Sequence, residues 1–247
     1  MRDVTADLAE ALSHLDPALR AHLEACGFDA ARLGRLAESL RGPDAAAARA
    51  ERNRVSGEVL PPTADELLGL PEPGSPEEAH LAQLGRGALR RGEVAFCVMA
   101  GGMATRMGGI VKALVEALPG STFLDLRLAE NRSASDRVKR AVPLWLMTSD
   151  ATDQPIREAL VEAGAPAHVR TFRQDLGLRL TPDGSLFLGV DGKPSTYATG
   201  HGDLPDALRR SGLLGAFRRE GGKIVWIANL DNLGASLDER LLGRFLE

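Results

Sequence analysis

The residues with the most chemistry to offer stand close together between positions 101 and 112. Gly101-Gly102-Met103-Ala104-Thr105-Arg106-Met107-Gly108-Gly109-Ile110-Val111-Lys112 begins where the apolar run Ala95–Ala100 stops. Adjacent glycines have no Cβ, so their backbone can take φ > 0 and lie flat against a ligand. Their N–H groups can then converge on an anion or a base edge, as successive amides do in anion-binding nests. Thr105 adds a hydroxyl, and Arg106 and Lys112 add the positive charge that a polyphosphate requires. The pattern is neither G-x-x-x-x-G-K-[ST] nor G-x-G-x-x-G, so the two commonest phosphate-binding loops do not explain it. The competing reading is a glycine turn of purely structural use; the hydroxyl and the two cations count against it.

Three further clusters carry polar groups. In Gly200-His201-Gly202-Asp203 the flanking glycines leave the imidazole uncrowded; taken alone, it is also an ordinary turn with His201 as an incidental cap. Asn229-Leu230-Asp231-Asn232-Leu233-Gly234-Ala235 places a carboxylate just past an apolar run. Such a carboxylate suits Mg²⁺, which takes one or two carboxylates plus phosphate oxygens; alone, Asp231 is equally a turn former. Thr148-Ser149 and Gln174 also follow apolar runs.

The elements that must position these groups read as an α/β fold. Val94–Met99, Pro143–Met147 and Lys223–Ala228 are dominated by short apolar runs, as expected of strands buried on both faces of a parallel sheet, and Val169–Phe172 reads as a further short strand. Helices are expected from Asp153 to Gly164, from Leu204 to Gly212, and after a capping box of Ser236 and Glu239. Leu180–Leu188 reads as a hairpin turning at Pro182-Asp183-Gly184. Strands alternating with helices predict a mostly parallel sheet, which binds ligands at the carboxyl ends of its strands. The clusters at 101–112, 148–149, 174 and 229–232 all follow strands, which pools them into one site.

Residues 1–92 read as a helical N-terminal region, and 93–247 as the nucleotide-binding domain. Leu8, Leu12 and Leu15 form one apolar face; Asp16-Pro17 opens a second helix that ends at Gly27. Leu33, Leu36 and Leu40 mark a third, stopped by Gly42-Pro43, and the Ala-rich run from Asp44 has little to bury. Val59–Gly74 is an extended proline-bearing connector. Ser75-Pro76-Glu77-Glu78 then supplies an N-cap, Pro at N1 and Glu at N3 for a helix closing near Gly92. Nothing catalytic is visible in this region.

Bulk properties narrow the partners. With 247 residues, 44% hydrophobic, 26% charged and a net charge of −4, the chain reads as globular. Acidity argues against nucleic acid as the main partner. Two cysteines, Cys26 and Cys97, are too few and too scattered for a disulfide framework or zinc site. No apolar stretch approaches about 18 residues, and Asp3 and Asp7 replace a basic leader. No membrane partner and a cytoplasmic location are therefore expected; oligomeric state is not legible.

Together the motifs resemble a known family. Ala100-Gly101-Gly102-Met103-Ala104-Thr105-Arg106-Met107-Gly108, followed by Lys112, is similar to the L-A-G-G-x-G-T-R-x-G and P-K signature of sugar-nucleotide pyrophosphorylases. Ala104 stands where the family usually has Gly, and Val111-Lys112 replaces Pro-Lys. Leu146-Met147-Thr148-Ser149, Phe172-x-Gln174, Gly200-His201-Gly202-Asp203-Leu204 and Asn229-x-Asp231-Asn232-Leu233-Gly234-Ala235 follow in the order seen in UTP–sugar-1-phosphate uridylyltransferases. The His-Gly-Asp and Asp-Asn-Leu-Gly-Ala segments look more like UDP-glucose than UDP-N-acetylhexosamine pyrophosphorylases. The resemblance covers about residues 86 to 245.

The resemblance implies a Rossmann-like, GT-A-like nucleotidyltransferase domain. The implied reaction joins UTP to a sugar 1-phosphate, most readily glucose 1-phosphate, giving UDP-sugar and pyrophosphate with Mg²⁺ as cofactor. By matching motif positions, Gly101, Gly102 and Gln174 would read uracil, Gly200 would lend backbone, and Met103 and Thr105 would line the nucleotide. Arg106 and Lys112 would neutralise phosphate charge, His201 would lie near the α-phosphate or sugar phosphate, and Asp231 would hold the metal. Roughly as much chain again follows in the family, so this chain is expected to be truncated at its C-terminus and to hold the nucleotide half of the site. The alternatives are a non-catalytic UTP- or UDP-sugar-binding regulator, a UDP-N-acetylhexosamine pyrophosphorylase, and an interaction module built on the N-terminal helices.

Overall fold

Val94–Met99 forms the strand on which the fold is centred. The computed structural model describes residues 4–104 and 108–247. In chain order it contains α1 (Val4–Ser13), α2 (Pro17–Ala25), α3 (Ala30–Ser39), α4 (Ala45–Arg52) and α5 (Pro76–Arg91). There follow β1 (Val94–Met99), α6 (Phe123–Val138), β2 (Leu144–Thr148), α7 (Asp153–Glu162) and β3 (Val169–Arg173). The remainder comprises β4 (Leu176–Leu178), β5 (Thr196–Ala198), α8 (Leu204–Arg210), α9 (Leu213–Arg219), β6 (Ile224–Asn229) and α10 (Glu239–Leu246). Two compact units result: Met1–Glu66 with Asp175–Gly200, and Leu67–Gln174 with His201–Glu247. These divisions differ from a boundary at 92. The reason is that α5 packs against α10, and β4 packs against the N-terminal helices.

In the first unit, Leu8, Leu15, Leu23, Cys26, Leu33 and Ala37 bury against Leu176 and Leu178 of β4. The Leu176 N–H donates to the Cys26 carbonyl at 3.0 Å. Asp16 caps α2 through the N–H groups of Ala18 and Leu19, as its place before Pro17 predicts. Leu36, expected on the apolar face of α3, is exposed instead. The i, i+4 pair Leu33 and Ala37 faces inward, and Leu36 sits a quarter-turn away from Ala37. The Leu180–Leu188 hairpin forms as a Leu180–Leu186 bridge, with the Gly184 N–H bonded to the Thr181 carbonyl.

The second unit holds a parallel four-stranded sheet in the order β6-β1-β2-β3. Alternate residues of β1 serve opposite faces. Val94, Phe96 and Val98 join Leu124, Leu128 and Val138 of α6 and Ile156 and Leu160 of α7 on one face. Ala95 and Cys97 join Trp145, Met147, Phe172, Leu204, Leu208 and Phe217 on the other. Trp145 and Phe217 meet edge to face, with centroids 5.3 Å apart. Burial pushes the Cys97 thiol up to about 12, so it packs as an inert small hydrophobe. β6 departs from the sequence expectation of burial on both faces. It pairs with β1 on one side only among the described residues, and Ile227 is 49% exposed. Among the described residues, no helix is long and apolar enough to cross a membrane.

Helix ends follow local chemistry with one correction. Ser75 caps α5 through the Glu78 N–H, and Gly92 closes it at φ 75°. α10 begins one turn fragment later than a Ser236–Glu239 capping box requires. Asp238 is its N-cap, accepting from Arg240 and Leu241 N–H groups. α5 and α10 cross closely at two glycines: a Cβ on Gly85 would lie 1.9 Å from the Glu239 carbonyl oxygen, and one on Gly243 would lie 1.9 Å from the Leu81 carbonyl oxygen. Neither backbone oxygen can swing aside. Gly243→Ala is therefore expected to lower unfolding free energy by about 3 kcal/mol, the upper end for overpacking. Gly87→Ala on the same α5, where a Cβ meets only the flexible Arg91 guanidinium, is expected to raise it by about 0.5–1 kcal/mol. Urea titration of the three proteins separates these outcomes.

At the opposite end of the sheet from the polar clusters, Glu93 is clamped by Arg91 at 2.7 Å and Lys223. The Arg91 hydrogen bonds, with that of Lys223, hold the Glu93 carboxyl down at about 2. The unfolded chain takes up this proton first as pH falls, so the stabilisation is full above about 4.5 and lost on acidification toward 2. Glu93→Gln is expected to flatten the loss of stability over that interval, read by chemical unfolding at stepped pH. An unchanged slope would contradict the clamp.

Candidate functional site

The strand order puts a topological switch point beside β1. The chain steps outward from β1 to β2 and β3, then returns to β6 on the other side of β1. Loops leaving β1 and β6 diverge there, the position where open parallel sheets bind ligands. Gly101-Gly102 leaves β1, Thr148-Ser149 ends β2, Gln174 follows β3, and Asn229–Ala235 follows β6.

Hydrogen bonds knit the first three. The Ala100 N–H donates to the Met147 carbonyl at 2.7 Å, and the Thr152 hydroxyl donates to the Ala100 carbonyl at 3.2 Å. The Ser149 N–H donates to Thr152 Oγ1 at 2.9 Å, and the Thr148 hydroxyl to Asp153 Oδ1 at 2.7 Å. The Gln174 N–H donates to the Thr148 carbonyl at 2.9 Å, and Gln174 is 6% exposed. A Cβ on Gly101 would lie 3.2 Å from Gln174 Nε2 and 3.3 Å from the Ser149 nitrogen. Close packing, and not a left-handed backbone, is thus what favours glycine at 101. Positive φ falls later in the loop, at Gly108 (83°) and Gly109 (77°).

A charged pair closes the other side. The Lys112 N–H donates to the Gly102 carbonyl at 3.1 Å, and Lys112 Nζ stands 3.0 Å from Asp231 Oδ2. This Lys112 hydrogen bond holds the Asp231 carboxyl below its usual range. Both side chains remain about two-fifths exposed, at 39% and 42%.

The structure thus brings together Gly101, Gln174 and Ser149, and Gly102, Lys112 and Asp231. Met103 is half-buried against the core beside Val111. Thr105 and Arg106 lie outside the described residues. Gly200, at φ 110°, ends the first unit. His201 opens a 3₁₀ turn in the second, is exposed, and takes no part in these hydrogen bonds among the described residues.

The residue that carries the Asn229–Ala235 loop lies on α6, outside every motif named above. Arg127 is 1% exposed and donates to the carbonyls of Asn229 (3.1 Å), Leu230 (3.2 Å), Asn232 and Ala235 (3.1 Å). It also pairs with Glu130 at 2.7 Å and lies 5.6 Å over the Phe96 ring. The available signal was Thr122-x-x-Asp125, which forms a capping box, followed by a cation between Leu124 and Leu128 on the apolar stripe.

The profile of the family described as UTP–glucose-1-phosphate uridylyltransferase matches residues 76–247. The chain belongs to this family. Within it, the chain is 32% identical over 160 residues to the UTP–glucose-1-phosphate uridylyltransferase of Saccharomyces cerevisiae, covering 63% of this chain and 32% of that protein. The Pyrus pyrifolia uridylyltransferase is 35% identical over 153 residues, 60% of this chain and 32% of that protein. The chain therefore spans about a third of the length of the uridylyltransferases it matches. The fold is that of a UDP-N-acetylglucosamine pyrophosphorylase from Trypanosoma brucei (TM-score 0.68, 21% identity, 98% of this chain and 52% of that one). A structure described as a UDP-glucose phosphorylase from the same organism gives a TM-score of 0.53 at 28% identity, over 63% of this chain and 34% of that one.

Lys112→Met removes the main cause of the low Asp231 pKa. The Asp231 carboxyl is expected to move up toward the ordinary carboxylate range, followed by carboxyl ¹³C NMR titration against wild type. No upward movement would mean that the pair does not form in solution.

Proposed function

We propose that this chain holds the nucleotide half of a uridylyltransferase that joins UTP to a sugar 1-phosphate and releases pyrophosphate. The observation that carries this reading is the pair of contacts at the carboxyl ends of the strands, Gly101 against Gln174 and Lys112 with Asp231. Gln174 presents a donor and an acceptor on one planar amide, matching the alternating edge of uracil. Lys112, with Arg106, would neutralise the triphosphate and the departing pyrophosphate. His201 would approach from the segment following Gly200.

A single, half-exposed carboxylate fits Mg²⁺, which takes few protein carboxylates and relies on substrate phosphates. Held by Asp231 and phosphate oxygens, Mg²⁺ would supply further charge neutralisation at the reacting phosphate. Lys112 and Asp231 compensate each other's charge until a nucleotide arrives; the ammonium then turns to phosphate. No side chain needs to become covalently attached, so positioning and charge stabilisation would supply the rate enhancement. Glucose 1-phosphate is the favoured acceptor, since the relatives above 30% identity carry that activity in their names. The cytoplasm is the compartment that suits two buried cysteines with no disulfide between them.

Calorimetric titration of UTP and of ATP, each with Mg²⁺, tests the reading. UTP is expected to bind and ATP not. Gln174→Ala is expected to weaken UTP about tenfold, equivalent to about 1.4 kcal/mol, and Gly101→Val to abolish binding by displacing Gln174. Equal binding of ATP and UTP, or unchanged UTP binding by both variants, would remove the basis for this site.

A further inference from the structure

We infer that Arg127 is the positioning residue of the site: its guanidinium is the template on which the Asn229–Ala235 loop is built, and so sets where Asp231 stands. The role rests on the nucleotide reading above, but the geometry is independent of it. An arginine has five N–H donors in a fixed planar fork. Here all five are used: Nε on Leu230, Nη1 on Glu130 and Ala235, and Nη2 on Asn229 and Asn232. Four of the five acceptors are backbone carbonyls of one loop.

A buried ion pair kept only for stability has no reason to be distributed in this way, and such pairs stabilise folds weakly. Carbonyls that converge on one cation force the peptide planes between them into a single arrangement. Asp231 lies between two of the held residues, Leu230 and Asn232, and its own carboxylate reaches out to Lys112. Glu130 extends the hold. Its Oε2 takes the Arg127 Nη1 donor at 2.7 Å, and its Oε1 accepts the Leu237 N–H at 2.9 Å. One turn of α6 therefore fixes the loop from residue 229 to residue 237. Phe96, from the centre of β1, lies under the guanidinium and ties the template to the sheet.

Lysine cannot replace this group, because three donors on one nitrogen do not span five acceptors. Residues that orient a metal ligand without touching the metal typically control 10–100-fold of metal affinity. Arg127→Ala and Arg127→Lys are each expected to lose at least about tenfold of the Mg²⁺-dependent gain in UTP affinity, with metal-free UTP affinity unchanged. Ethylguanidinium at millimolar concentration is expected to refill the Arg127→Ala socket. It would restore the gain and slow amide hydrogen exchange across residues 229–235, which the substitution accelerates. Leu160→Ala, a core truncation on α7 away from the loop, is the control, and neither readout should change.

A lysine variant that matches wild type overturns the inference. So does a folded Arg127→Ala whose loop exchange is unaltered, or does not respond to ethylguanidinium. If Arg127→Ala fails to fold, the lysine variant decides. If wild type binds no UTP, the nucleotide reading falls, and loop exchange with and without ethylguanidinium still upholds or overturns the role of Arg127.

Discussion

β1 is hydrogen-bonded on both edges and packed on both faces, and the second unit depends on this saturation. Its backbone pairs with β6 from Val94 to Met99 and with β2 from Phe96 to Met99. Phe96, Val98 and Cys97 are fully buried, and each large apolar side chain removed from water contributes about 1.5–3 kcal/mol. A strand committed in this way cannot slip by one residue without exchanging its two faces. Its carboxyl end is therefore fixed, and with it the point where Gly101 leaves the strand.

From that fixed point the site is assembled by close approach and by charge. Gly101 leaves just enough room for the side-chain amide of Gln174, a buried residue whose backbone N–H is held by the Thr148 carbonyl. Lys112 returns to the Gly102 carbonyl and points its ammonium at Asp231. One half of the site is thus neutral and shaped, suited to a base edge. The other half carries partly exposed charge, suited to phosphate. The division follows the sheet order, because the neutral half lies over β1, β2 and β3 and the charged half over β1 and β6.

Two features of this arrangement rest on residues with no obvious chemistry. Gly85 and Gly243 let α10 lie against α5 at backbone contact, which anchors the chain just after the Asp231 loop. Arg127 fills the space beneath that loop. A charge buried so completely is tolerable only because every donor finds an oxygen. The same condition makes the loop conformation unique, since no other set of peptide orientations would satisfy the fork.

The sequence by itself determined what is local. Apolar runs of strand length, Ser75-Pro76 and Asp16-Pro17 at helix starts, and the motif residues at 101–112, 174 and 229–235 all declare themselves through neighbours within a few positions. Their order also placed them after strands, which was enough to pool them. Only the tertiary structure decided what depends on distant partners. Arg127 meets carbonyls more than a hundred residues away, so nothing beside it in the chain distinguishes it from a surface arginine. Asp238 displaces Ser236 as the cap of α10, and Leu36 yields the inner face of α3 to Ala37. The segment 175–200 joins the N-terminal helices because Leu176 and Leu178 complete their core. Local propensities select the elements; which faces meet is settled by burial and by the pairing of every buried polar group, and those are properties of the folded chain alone.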